Sequence, residues 1–171
     1  MDPGTVAAWR DVYIGMVGAG ASLTGLTFVA IALDPHQIER TPLLRFRAAN
    51  ALWCFVSVMF IGVAVLTPRP FTSVASVAVG VAGISAAVLG SARTIRQRIF
   101  RQPHPGATVF RAAGNLFGFL LAGVGGLALI DVEQGWVFAT LSAACVIMLS
   151  SGIFASWLLV LQIGVPSSEK P

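Results

Sequence analysis

The sequence predicts an all-α, polytopic membrane protein, a bundle of five transmembrane helices. Three observations predict it. First, 56% of the residues are hydrophobic and 11% are charged, with a mean hydropathy of +0.84; an average soluble domain is roughly 25% charged. A soluble fold of 171 residues could not bury that much apolar surface, whereas a bilayer accepts it on outward helix faces. Second, apolar runs long enough to cross a hydrocarbon core of ~30 Å recur between short polar connections. Third, the basic residues gather in alternate connections, as the positive-inside rule requires of cytoplasmic loops. The length corresponds to one domain, residues 1–171.

The chain opens on a polar lead, residues 1–11, with Trp9 near its end. It carries no cluster of positive charge, and the apolar run behind it exceeds the ~7–15 residues of a signal-peptide core. Residues 12–33 therefore read as a permanent first span, 22 residues without a charge, or about 33 Å of helix at ~1.5 Å per residue. Its middle, Gly18 to Thr27, is dense in Gly, Ala, Ser and Thr. In lipid such residues let helix backbones approach closely, which makes Gly18 and Gly25 packing candidates. The hydroxyls of Ser22, Thr24 and Thr27 either pack or line a pore.

Asp34-Pro35-His36-Gln37 has the form of a helix start, with a capping residue, a first-turn proline and a Gln three after the cap. Thr41-Pro42 repeats the device and opens the second span, 48–66, which Thr67-Pro68-Arg69-Pro70 ends. The third span is 71–92. Ala78, Ala82, Ala86 and Gly90 recur every four residues along it and place a small-residue groove on one face. Its helix continues through 93–102 as an interfacial, Arg-rich stretch, and Pro103-His104-Pro105-Gly106 stops it. Thr108 is a cap for the fourth span, 112–130, which carries a second small ridge of Gly114, Gly118, Ala122 and Gly126. These two ridges predict a close antiparallel pair. An acidic turn, Asp131 to Gly135, leads to the fifth span, 136–161, and a polar tail.

Five spans put the termini on opposite sides. Arg40, Arg45, Arg47, Arg93, Arg96, Arg98, Arg101, Arg111 and Lys170 share one side, against Arg10 and Arg69 on the other. That asymmetry predicts an outside N-terminus and a cytoplasmic C-terminus in a bacterial inner (cytoplasmic) membrane. Trp9 and Trp136 would mark the outer interface, Trp157 and Trp53 the inner one. The formal charge of +4 is thus assigned to orientation and anionic lipid headgroups rather than to nucleic acid, which needs a solvated basic patch.

No acidic residue, Lys, Arg or His lies inside a span so drawn, which speaks against proton relays and ion-coupled transport. Neither His36 nor His104 has a second ligand at metal spacing, Cys54 and Cys145 sit inside apolar runs, and no nucleophile, zinc or phosphate-loop motif appears. The sequence therefore predicts no catalytic residue, no metal and no cofactor. What polar chemistry it has lies in an echo: Phe46-Arg47-Ala48-Ala49-Asn50 returns as Phe110-Arg111-Ala112-Ala113-Gly114-Asn115. Each copy stands where a basic connection gives way to an apolar run. Arg47 and Asn50, and likewise Arg111 and Asn115, stack on one helix face. Two readings follow: anchoring, with each Arg snorkelling to headgroups and each Asn bonding a neighbouring helix, or a lipid-phosphate or small-anion contact. The echo also suggests a parallel internal repeat, with spans one and two corresponding to spans three and four.

The run Gly20-Ala21-Ser22-Leu23-Thr24-Gly25-Leu26-Thr27-Phe28-Val29-Ala30, Pro42 before an Arg-Ala step, and Trp157-Leu158-Leu159-Val160-Leu161 together resemble a group of small multi-span membrane proteins of actinobacterial type. Some of these are labelled modulators of an FtsH-type membrane protease. The resemblance implies a five-span architecture and supplies no catalytic residues. The expected function is non-enzymatic: an integral membrane protein acting through helix packing, as a homo-oligomer or as a small subunit or modulator of a larger membrane complex. The competing expectation is an oligomeric channel or facilitator for a small solute or ion, with Ser22, Thr24 and Thr27 facing a common axis.

Overall fold

The computed structural model describes residues 3–67, 74–75, 77–85, 88, 105–131 and 135–163. Among them all regular structure is helical. In chain order the helices are α1 (Pro3–Leu33), α2 (Pro35–Arg40), α3 (Pro42–Leu66), α4 (77–85), α5 (Pro105–Asp131) and α6 (Gly135–Ile163). Three stretches among the described residues are long and apolar enough to cross a membrane: Trp9–Leu33, Leu44–Leu66 and Trp136–Leu161. A shorter apolar stretch, Ala113–Ala128, lies in α5. The outer parts of the expected third span, 71–73 and 89–92, and the Arg-rich stretch 93–102 lie outside the described residues.

Prolines set most of the helix starts. α2, α3 and α5 begin at Pro35, Pro42 and Pro105, where a missing N–H costs nothing because the first turn has no intrahelical acceptor for it. α1 runs unbroken from Pro3, so the polar lead and the first span share one helix. One expectation is corrected here: Thr108 is not a cap, because α5 has already begun a turn earlier at Pro105. Thr41 stands at the N-cap of α3 but its side chain makes no capping bond; its carbonyl instead accepts from the Leu44 and Arg45 amides at 3.0 and 3.2 Å. At the other end the Thr67 amide and hydroxyl both return to the Val63 carbonyl, at 3.0 and 2.8 Å.

α1 packs on α3, α3 on α6 and α6 on α5, while α4 lies against α5. α6 is the hub. It contributes Val137, Leu141, Ala144, Cys145 and Met148 to a buried cluster that α1 joins through Tyr13, α3 through Cys54, Val58 and Ile61, and α5 through Phe119 and Ala122. A smaller cluster of Ala51, Phe55 and Ala155 continues it along α3 and α6.

The pairs α1–α3 and α4–α5 repeat one another in packing detail. Gly20 of α1 sits where a Cβ would meet the Phe55 carbonyl oxygen at 3.2 Å and the Met59 amide nitrogen at 3.8 Å. Gly80 of α4 sits where a Cβ would meet the Phe119 carbonyl oxygen at 3.1 Å and the Gly123 nitrogen at 2.7 Å. Phe55 and Phe119, like Met59 and Gly123, are separated by the same interval as Phe46 and Phe110. That interval also maps every buried residue between 113 and 128 of α5 onto a buried residue of α3. Asn115, Gly118, Phe119, Ala122, Gly125 and Gly126 fall on Ala51, Cys54, Phe55, Val58, Ile61 and Gly62. Exposed Ala113, Phe117, Val124 and Leu127 fall on exposed Ala49, Trp53, Phe60 and Val63. Shared helical period alone would match the phase, but not the glycine-on-backbone contact at the same place in each pair.

Candidate functional site

The polar echo converges in space. The Asn115 side-chain amide donates to the Asn50 Oδ1 at 2.9 Å, linking α5 to α3. The Cys54 thiol, one turn beyond Asn50, points to the Asn115 Oδ1 at 3.6 Å. Polar contacts thus run donor to acceptor from Cys54 through Asn115 to Asn50. The relay ends at the Asn50 Nδ2, which is buried and has no hydrogen-bond partner among the described residues. Arg47 lies one turn before Asn50 on α3 and is 5% exposed.

Their positions follow from helical spacing. Arg47, Asn50 and Cys54 are three and four residues apart, so they share the α3 face turned towards α5 and α6. Asn115 is 5% exposed, and its amide reaches α3 to bond Asn50. The asparagines thus bond each other between α5 and α3. For Arg47 the anchoring expectation is corrected: the guanidinium does not snorkel into open surroundings, because the side chain is buried. The Arg111 side chain lies outside the described residues; its position is one turn before Asn115 on α5.

The hydroxyl candidates of α1 do not share a face. Ser22 is exposed. Thr24 is partly buried and donates to the Gly20 carbonyl at 2.8 Å. Thr27 is 3% exposed, donates to the Leu23 carbonyl at 2.8 Å and lies 3.2 Å from the Ser156 hydroxyl of α6. Within one chain the three line no common axis.

The small-residue ridges are partly reassigned. α4 and α5 do meet through small residues, but through Gly80, Gly83 and Gly123, with Gly83 against the Phe119 ring. Ala82 is exposed, and Ala86 and Gly90 lie outside the described residues. The α5 ridge serves a different neighbour: a Cβ on Gly118 would meet Ile147 and Met148 of α6 at 3.3 Å, and Ala122 is fully buried in the cluster built on α6. Gly126 is also buried. On α1 the contact glycine is Gly20, while Gly18 and Gly25 face outward with nothing near them. Counting small residues every four positions locates a ridge; it does not say which neighbour the ridge meets.

Sequence reasoning passed over Tyr13, the single tyrosine of the chain. It is 0% exposed and its hydroxyl donates to the Phe138 carbonyl at 2.8 Å, joining α1 to α6. A lone phenol at the start of an apolar run was a signal, since a buried tyrosine hydroxyl seeks an acceptor. Ser57, at 3% exposed, and Ser151, whose Oγ has no hydrogen-bond partner among the described residues, add buried polarity. Among the described residues no three His, Cys, Asp or Glu side chains gather as a metal site.

Among the described residues, fold and site together define an all-helical arrangement with three helices long and apolar enough to cross a membrane and a buried polar cluster between two of its helices. Comparison with family models, curated proteins and solved structures gives no match.

Proposed function

We propose that this chain is a five-span protein of the bacterial cytoplasmic membrane, with its N-terminus outside and C-terminus inside. It works through helix–helix contacts rather than catalysis, as a homo-oligomer or as a small subunit or modulator of a larger membrane complex. The observation that carries this reading is the outward face of α1. Gly15, Gly18, Ser22 and Gly25 are all exposed, at alternating spacings of three and four residues, and the three glycines have nothing within 4 Å of a Cβ. That spacing is the seam of a left-handed helix pair, and small residues on it allow close backbone approach in lipid. α4 presents the same seam at Ala78, Ala82 and Ser85, all exposed. The two outer helices therefore offer matching faces that the other described residues leave uncovered. The charge asymmetry of the connections supports the orientation.

Native mass spectrometry and cross-linking in nanodiscs test the reading. The wild-type chain is expected to run as an oligomer or with a co-purifying membrane protein. Gly18→Leu and Gly25→Leu are expected to release single chains while leaving thermal unfolding of the chain itself unchanged, since no internal contact lies near either position. Wild-type and variant chains that assemble identically would refute the proposal.

A further inference from the structure

We propose that the outer face of α1 is covered by the outer face of α4 from a second copy of this chain, so that copies join head to tail in a closed ring. This rests on the assembly reading above and narrows it to one partner and one contact. The internal packing sets the register of the two faces. Gly20 of α1 and Gly80 of α4 each lie against the carbonyl of a phenylalanine on the neighbouring helix. Around these two glycines small residues recur at the same intervals: Gly18, Ser22 and Gly25 about Gly20, and Ala78, Ala82 and Ser85 about Gly80. All of them are exposed among the described residues. At ~100° per residue, a step of two or five positions turns a residue roughly 140–160° round the helix from the contact glycine. Each outer helix therefore holds its own neighbour with one glycine and turns an equivalent small-residue face away from it.

The two faces also run the same way. Tyr13 meets Phe138 and Thr27 meets Ser156, so α1 is parallel to α6. Gly118 lies at Met148 and Gly125 at Leu141, so α5 is antiparallel to α6. Gly80 at Gly123 and Gly83 at Phe119 make α4 antiparallel to α5. α1 and α4 are then parallel, and α4 does not cover α1 within the chain, since Gly18 and Gly25 have nothing within 4 Å of a Cβ. Between copies the faces are complementary. In register, Ala78 and Ser85 of one copy set a Cβ against Gly18 and Gly25 of the next, and Ala82 meets Ser22. A Cβ seated on a glycine keeps the backbones close and leaves no void. Pairing α1 with α1 would put glycine on glycine, and α4 with α4 alanine on alanine. A contact between two different faces of one chain repeats from copy to copy and, once the ring closes, leaves neither face bare.

The test is disulfide formation between full-length copies in native membranes, with Cys54 and Cys145 left in place because they are buried. Copies bearing Gly18→Cys and Ala78→Cys are expected to cross-link on oxidation when co-expressed, and neither variant with itself. A chain bearing both substitutions is expected to give a ladder of covalent multimers that stops at the ring size. Gly18→Cys with Ser85→Cys should give no cross-link. Ser85 lies about 10 Å further along the axis than Ala78 at ~1.5 Å per residue, beyond the ~7 Å Cα separation that a disulfide spans. Equal cross-linking of the two mixtures would overturn the register. Cross-linking of Gly18→Cys with itself would overturn α4 as the partner in favour of a symmetric α1 pair. Absence of the mixed cross-link in chains that native mass spectrometry still finds assembled, with themselves or with another membrane protein, would overturn this contact and leave the assembly reading standing. Single chains throughout would overturn both.

Discussion

Two glycines that face each other across α4 and α5 should respond in opposite ways to the same methyl group. A Cβ on Gly80 would stand 2.5 Å from the Gly123 Cα and 2.7 Å from its nitrogen. These are main-chain atoms and cannot rotate away, so the helices must part by about 1 Å to reach the ordinary ~3.5–4.0 Å of carbon contact. A Cβ on Gly123 meets only the Gly80 Cα, at 3.7 Å, and fits as it stands. Both substitutions gain the same helix-propensity term, ~0.5–1 kcal/mol for Gly to Ala. That term cancels when the two variants are compared, leaving the overpacking cost of about 1–3 kcal/mol. Gly80→Ala should therefore unfold more readily than Gly123→Ala by that amount. Reversible unfolding in mixed micelles, titrated with a denaturing detergent, measures the difference. Equal stability of the two variants, or a less stable Gly123→Ala, would refute the α4–α5 register from which the reasoning starts.

Two further outcomes follow from buried polar groups. Tyr13→Phe removes the hydroxyl that joins α1 to the Phe138 carbonyl while keeping the ring. The loss should be about 0.6 kcal/mol and no more than about 1.7 kcal/mol in the same unfolding titration, the average and the maximum found for interhelical hydrogen bonds in membranes, and no loss would mean that the bond contributes nothing. Cys54 and Cys145 are buried thiols with no exposure, so a maleimide should label neither in the folded chain and both after denaturation; rapid labelling of either in the native state would contradict a buried position for it.

Some elements were legible in the residues because they depend on local chemistry. Pro35 and Pro42 announce helix starts wherever they stand, since a residue without an N–H is best placed in the first turn. The 12–33, 48–66 and 136–161 runs read as helices because lipid leaves the backbone no other way to satisfy its polar groups. Arg47, Asn50 and Asn115 stood out because polar groups at the edge of an apolar run need a partner. Thr108 misled for the same local reason: it has the right chemistry for a cap, but Pro105 opened the helix a turn earlier.

Partner choice was not legible. Gly18, Gly25 and Gly118 satisfy the same small-residue pattern, yet Gly118 packs on α6 while Gly18 and Gly25 face outward. Ser22, Thr24 and Thr27 are neighbours in sequence and end on different faces, because successive residues turn by ~100° about the helix axis.

By itself, then, the sequence determined the all-helical class, the positions of the long apolar helices and the polar echo at two of their starts, because each follows from periodicity, hydropathy and caps within a single segment. The tertiary structure alone decided that α6 is the hub, that Asn50 and Asn115 bond each other across α3 and α5, and that Arg47 is drawn inside. It also set the common interval at which α3 and α5 bury equivalent residues. The physical reason is that a helix advertises its own faces, but which face meets which depends on how several surfaces interlock at once. A glycine is as good a contact point on one side of a helix as on another until a neighbour arrives.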